Sequence, residues 1–124
     1  MKAKSLSKLK KELDRVFSIY IRNKYASGGI VACYTCFKSG DVKSMQCGHF
    51  VSRVHLSTRF DEDNCRVQCV GCNVFGNGKI ADFANRLEKE KKGTVARLYR
   101  KAQENVKYST MWYEEQIKHY KELI

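Results

Sequence analysis

Two C-x2-C pairs, Cys33-Tyr34-Thr35-Cys36 and Cys69-Val70-Gly71-Cys72, stand 32 residues apart in a chain of 124. Four thiols at this spacing have the pattern of a closed tetrahedral zinc site, so residues 33–36 and 69–72 must meet at one point whatever the chain does between them. Between them lies Cys47-Gly48-His49-Phe50, and Asn73 follows the second pair directly. A histidine and an amide side chain are thereby tied to the same metal-stapled frame.

Disulfide bonding is the competing use of these cysteines. Residues 1–24 are rich in lysine and contain no apolar segment of the signal-peptide kind, so a reducing, cytoplasmic setting is expected, where paired thiolates read as zinc ligands. Cys47 and Cys65 are left over. They read as small buried hydrophobes, with an additional ligand role as the alternative.

A chain this short cannot bury a large core, and a zinc staple offsets that deficit. No stretch approaches the roughly 20 apolar residues of a membrane span, so no membrane partner is expected. Lysine and arginine number 24 against 13 acids, a net charge of +11 that points to a polyanionic partner. Residues 1–28 carry a balance of +6, residues 79–124 one of +4, and residues 29–78 only +1. The flanks supply the attraction, which leaves the nearly neutral centre for chemistry.

The organisation follows as a basic N-terminal helix (1–28), a zinc-bearing core (29–78) and a C-terminal helical segment (79–124) within one compact domain. Leu6, Leu9, Leu13, Val16, Phe17, Tyr20 and Ile21 recur at spacings of three and four and predict one amphipathic helix, capped by Ser5 or Ser7 and ended by Ser27-Gly28-Gly29. Lys8, Lys10, Lys11 and Arg15 fall mostly off its apolar stripe. From Ile30 to Phe50 the pattern predicts a knuckle, a turn at Lys38–Asp41 and a short strand over Met45–Phe50. Residues 51–64 read as irregular. Three further helical stripes follow: Ile80, Phe83, Ala84 and Leu87; then Val95, Leu98, Tyr99, Ala102 and Val106; then Trp112, Tyr113, Ile117 and Tyr120. They are expected to pack against the first helix, with their aromatics as core rather than as base-stacking platforms.

Knuckle, histidine-bearing hairpin and second knuckle opening a helix together resemble the treble-clef ββα-metal nucleases of the HNH/endonuclease VII group. The fold class implied is α+β and mostly helical, a zinc-stapled ββα-metal core flanked by helices. More closely the chain resembles the lambdoid phage NinG (Rap) family, through Cys33-x2-Cys36, Gly48-His49-Phe50, Arg59-Phe60-Asp61-Glu62, Asn64 and Gln68-Cys69-x2-Cys72-Asn73. The resemblance implies a phage or prophage endonuclease that cleaves branched recombination intermediates, Holliday junctions and D-loops, in the bacterial cytoplasm. By the same resemblance His49 is the general base, Asn73 a ligand of a catalytic Mg2+ or Mn2+, and Asn64 the residue that orients the histidine, with closure of the Asp61–Asn64 turn as its alternative role. Near neutral pH an imidazole suits the first task and an amide oxygen the second.

His55 and His119 carry no such placement and are read as having no catalytic part. Arg53, Arg59 and Arg66 are candidate phosphate contacts, as are Lys79 beside Gly76-Asn77-Gly78 and the basic helix with Lys8, Lys10 and Lys11. Gly48 departs from the HNH pattern, which often has an aspartate before the histidine. Asp41, Asp61, Glu62 or Asp63 could fold in to replace it, or Asn73, water and DNA could hold the ion alone. No base-reading helix is evident, so duplex or branched DNA would be recognised by shape. A homodimer built on the terminal helices would explain paired nicks at a junction, although those helix faces could equally fill a monomer's core. The alternatives are a general HNH nickase and a non-catalytic zinc module that binds nucleic acid.

Overall fold

The structure is a computed structural model that describes residues 4–124, so the first three residues of the basic segment lie outside the described part. It is mostly helical with two small antiparallel sheets. Helix α1 runs over Leu6–Asn23, opened by the Ser5 hydroxyl, which accepts the Lys8 N–H. It buries Leu9, Leu13, Val16, Phe17 and Ile21, the expected stripe. The helix ends four residues before the expected Ser27 stop. Gly28 (φ +58°) and Gly29 (φ +79°) instead make the tight reversal that bridges Ser27 to Ile30, a backbone path suited to residues without a Cβ.

Strands β1 (Ile30–Ala32) and β2 (Ser39–Asp41) pair antiparallel, with the first knuckle forming their turn. Strand β3 (Gln46–His49) pairs with β4 (Cys65–Gln68), which sets His49 opposite Cys65 and Gly48 opposite Arg66. The β4 strand does not stand out in the sequence because it is four residues long and runs straight into the second knuckle. Residues 51–64 are more ordered than their composition suggests. A short helix α2 (Leu56–Arg59) and a turn at Glu62–Asn64 bring the chain back to β4.

Helices α3 (Ile80–Glu90), α4 (Thr94–Ala102) and α5 (Thr110–Leu123) complete the chain. Gly93 (φ +92°) separates α3 from α4, and the Glu88 carboxylate accepts the N–H groups of Gly93 and Val95. Ser109 caps α5 by accepting the Trp112 N–H. Of these helices only α5 builds a core with α1, joining Tyr113, Ile117 and Tyr120 to the α1 stripe and to Cys65. The expectation that all three pack on α1 is thus corrected. Phe83, Leu87, Leu98 and Ala102 of α3 and α4 close over Tyr34, Phe50 and Val51 in a second cluster, on the zinc-knuckle side. Val31, Met45 and Val67 form a small third cluster between the sheets. Of the aromatics expected in the core, Tyr113 and Tyr120 are buried and Trp112 partly so, while Tyr99 is half exposed; Phe17 lies edge-on to Phe60 and Tyr120. No helix among the described residues is long and apolar enough to cross a membrane.

Candidate metal centre and histidine cleft

Cys33, Cys36, Cys69 and Cys72 converge as the spacing requires, their sulfurs all within 4.8 Å of one another. Cys36 and Cys69 are 3.7 Å apart, close to the roughly 3.8 Å that tetrahedral zinc–thiolate bonds of about 2.3 Å impose. Burial works against the Cys33 thiolate, but N–H groups of Cys69, Cys36 and Thr35 and the Thr35 hydroxyl outweigh it and bring the thiol down to about 6. Burial is the largest reason that Cys72 is pushed up to about 12, and the neighbouring thiols add to it. Four thiolates this close repel one another, and a divalent cation is the partner that makes them compatible. The cluster can hold zinc.

The second knuckle opens a widened turn, Gly71–Phe75, closed by the Gly76 N–H on the Gly71 carbonyl. This turn aims Asn73 at β3, where its Nδ2 donates to Gln46 Oε1 at 2.8 Å. The amide is thereby oriented with Nδ2 donating and Oδ1 left as the acceptor, the atom whose lone pairs could meet a cation. His49, at the end of β3, and Asn73 line one cleft together with Arg53, Asp14 and Cys47.

His49 is half-buried, and its Nε2 lies 2.9 Å from the Arg59 carbonyl. A carbonyl only accepts, so Nε2 carries the proton and Nδ1 is the bare nitrogen. Burial is the main cause that lowers the imidazole pKa, and the charges of Arg53 and Arg59 push the same way against the Arg59 carbonyl and Asp14. At neutral pH the ring is therefore an uncharged acceptor.

Asn64 is wholly buried and touches the loop rather than His49. Its Oδ1 accepts from Val51 N, and its Nδ2 donates to the carbonyls of Val51 and Thr58. It thus fixes the segment whose next residue, Arg59, presents the carbonyl to His49. The Asp61–Asn64 turn is closed without the Asn64 side chain, by Asn64 N on the Asp61 carbonyl and by Asp63 N on Asp61 Oδ1.

The arginines divide. Arg59 reaches Asp14 with Nε and Nη2 and the Arg53 carbonyl with Nη1, while Arg53 also reaches Asp14. Arg66 lies elsewhere, paired with Glu90 and the carbonyls of Glu62 and Cys65, and lines a different pocket beside Tyr34. Lys79 is exposed in a left-handed conformation after Gly78, and Lys8 and Lys11 are exposed on α1 with Lys10 at its edge. His55 and His119 are exposed and outside the cleft.

A side chain at position 48 would require the buried Gln68 side chain to shift, since a Cβ there would lie 1.9 Å from Gln68 Oε1. That oxygen is buried without a hydrogen-bond partner. None of the four carboxylates expected as possible substitutes reaches the cleft. Asp41 accepts from Lys43 N, Asp61 pairs with Arg97 and Lys101, Glu62 with Tyr20, Tyr120 and Lys24, and Asp63 with Arg97. The carboxylate that does line it is Asp14, from α1. Its only signal in the sequence is an acid within a lysine-rich helix.

Geometry and residues together define a small protein with a four-cysteine cluster that can hold zinc, and with a histidine and an amide side chain in one cleft. The family model described as Bacteriophage Lambda NinG protein matches residues 1–124, and the chain belongs to that family. Membership suggests a phage recombination-related role. Neither a curated protein nor a solved structure gives a significant match.

Proposed function

We propose that this chain is a metal-dependent endonuclease of the HNH/endonuclease VII kind, selective for branched recombination intermediates such as Holliday junctions and D-loops, and acting in the cytoplasm of the phage host. The observation that carries the reading is the fixed imidazole of His49, with Nε2–H on the Arg59 carbonyl, sharing a cleft with Asn73. Nδ1 of the neutral ring accepts the proton of the attacking water. Asn64 and Asp14 act through the Arg59 segment, one on its backbone and the other on its guanidinium.

The donor set suits a hard cation through oxygen atoms, Asn73 Oδ1 and the Asp14 carboxylate of the same cleft. A bound Mg2+ or Mn2+ would supply charge stabilisation at the phosphate and at the leaving oxygen. Arg53, more than half exposed on the cleft rim, is free to swing from Asp14 to a phosphate. Lys79 and the basic face of α1 extend the positive surface for duplex arms. Because α1 and α5 bury their stripes against each other, a homodimer making paired nicks would meet through another surface.

A non-catalytic zinc module that binds nucleic acid is the second reading, favoured by the absence of a carboxylate at position 48; a general HNH nickase is the third. Labelled four-way junction, D-loop, nicked and linear duplex are incubated with Mg2+ or Mn2+ and either the native chain or His49→Ala. Cutting confined to branched DNA and lost in the variant is expected. Equal cutting of linear duplex selects the nickase, and tight binding without cutting in either metal selects the binding module.

A further inference from the structure

We propose that Cys47, His49 and Cys65 form a second metal site, separate from the four-cysteine cluster and suited to a thiophilic divalent ion such as Zn2+ or Co2+. Alternation along β3 puts Cys47 and His49 on one face, and the antiparallel register sets Cys65 of β4 directly opposite His49. Their ligand atoms all lie within 4.8 Å of one another. Two donors held at about 2.0–2.3 Å from one ion are about 3.5–3.8 Å apart in a tetrahedron, so a small closure of the three side chains completes the fit.

The Cys65 thiol donates to the Arg59 carbonyl at 3.6 Å, a bond it would give up on binding an ion. Cys65 is 1 % exposed and forms the floor, while Cys47 and His49 line the cleft, leaving the outer coordination position open to solvent. Three protein ligands of the Cys2His type plus one exchangeable position is an arrangement that zinc uses outside purely structural sites. The imidazole is already fixed through Nε2 by the Arg59 carbonyl, the kind of outer partner that metal-bound histidines carry. Packing alone accounts for a small residue at 65 within the α1–α5 core, but it does not require sulfur at both 47 and 65 around the cleft's one histidine.

The site stands on geometry and is independent of the nuclease reading; its consequence for activity rests on that reading. An ion here takes the imidazole out of proton transfer, so thiophilic ions at stoichiometric excess silence cleavage that Mg2+ supports.

The test titrates the reduced full chain, brought to one zinc by mild chelation, with Co2+. Zinc resists displacement from four thiolates by cobalt, so new thiolate-to-cobalt absorption reports the second site. One further equivalent is expected in the native chain and none in Cys47→Ser or His49→Ala, both at part-exposed positions, each retaining one zinc and a cooperative melt. Saturation of the native chain at one metal in all, or a second equivalent that persists in both variants, overturns the proposal. A second equivalent in a protein that cuts no DNA leaves the metal site standing and removes the nuclease reading.

Discussion

Asp14 and Arg59, 45 residues apart, form a two-pronged ion pair in which Nε meets Oδ1 at 2.9 Å and Nη2 meets Oδ2. The pair joins α1 to the loop whose Arg59 carbonyl holds His49. Both side chains are mostly covered, at 22 % and 13 % exposure, so loss of one partner strands a charge with little water to replace it. Asp14→Asn is expected to cost about 1–2 kcal/mol in urea unfolding, discounted from a fully buried pair for the remaining solvent. Zinc content should stay at the native value while any cleavage falls, because the histidine loses its fixed backing. Unchanged stability and unchanged cleavage would remove Asp14 from both roles.

Any side chain placed at position 48, an aspartate included, should harm this chain. A Cβ at position 48 meets the buried Gln68 side chain at 1.9 Å, so Gly48→Ala is expected to destabilise by about 1–3 kcal/mol through overpacking, and Gly48→Asp by more because its charge is buried. Space made by Gln68→Ser should recover part of the Gly48→Ala loss, a positive coupling in a double-mutant cycle. Additive effects would mean that the two positions do not compete for the same volume.

The four-cysteine cluster is the third point of dependence. Strands β1 to β4 are three or four residues long, and the cluster between their sheets comprises Val31, Met45 and Val67, too little apolar surface to hold two hairpins by itself. Cys72→Ser, at a buried ligand, is therefore expected to lose zinc and to unfold the centre, seen as loss of β3–β4 amide protection in hydrogen exchange. The α1–α5 pairing, with its own aromatic core, should keep more of its helicity. A Cys72→Ser protein with one full zinc and native protection would contradict the assignment.

What the sequence makes legible is what depends on local period or on ligand spacing. The α1 stripe, a serine cap at Ser5 or Ser7 and the convergence of Cys33, Cys36, Cys69 and Cys72 all follow from residues a fixed number of positions apart, and the structure selects Ser5. Asp14 at the cleft, Gln46 on Asn73 and Gln68 behind Gly48 do not, because each contact joins elements brought together only by tertiary packing. The partition of the helices escapes the sequence for a similar reason. An amphipathic stripe shows that α3 and α4 bury a face, not that they bury it against Tyr34 and Phe50 rather than α1. Helix α1 stops short of Gly28 because those glycines serve the Ser27–Ile30 reversal, a second use of the same residue type.

On the DNA-binding reading, the solvent face of α1 should govern salt sensitivity. Lys8 and Lys11 are exposed there, Lys10 is at the edge, and none of the three makes an ion pair among the described residues. Replacing all three by glutamine should leave the fold intact and flatten the plot of log binding constant against log salt by up to about 3 units of slope, about 0.9 for each phosphate that a lysine no longer neutralises. An unchanged slope would take α1 off the DNA face.

Acid should loosen α1 from α5. Glu12 bridges Lys121 of α5 at 2.8 Å and Lys4 at 2.7 Å, and the hydrogen bond from Lys121, followed by that from Lys4, holds its carboxyl down at about 2 against an ordinary 4.5. A lowered carboxyl means that the folded state prefers the ionised form. Its contribution is complete above pH 4.5 and is lost as pH falls from there towards 2. Asp61, whose own burial is outweighed by Lys101 and Arg97, is lowered as well and adds loss in the same direction below its ordinary 3.8. Melting temperature should therefore decline steadily below pH 4.5, and Glu12→Gln should melt below the native chain at pH 7 but converge with it near about pH 2.5. A constant offset between the two at both pH values would show that Glu12 acts through packing rather than through its charge.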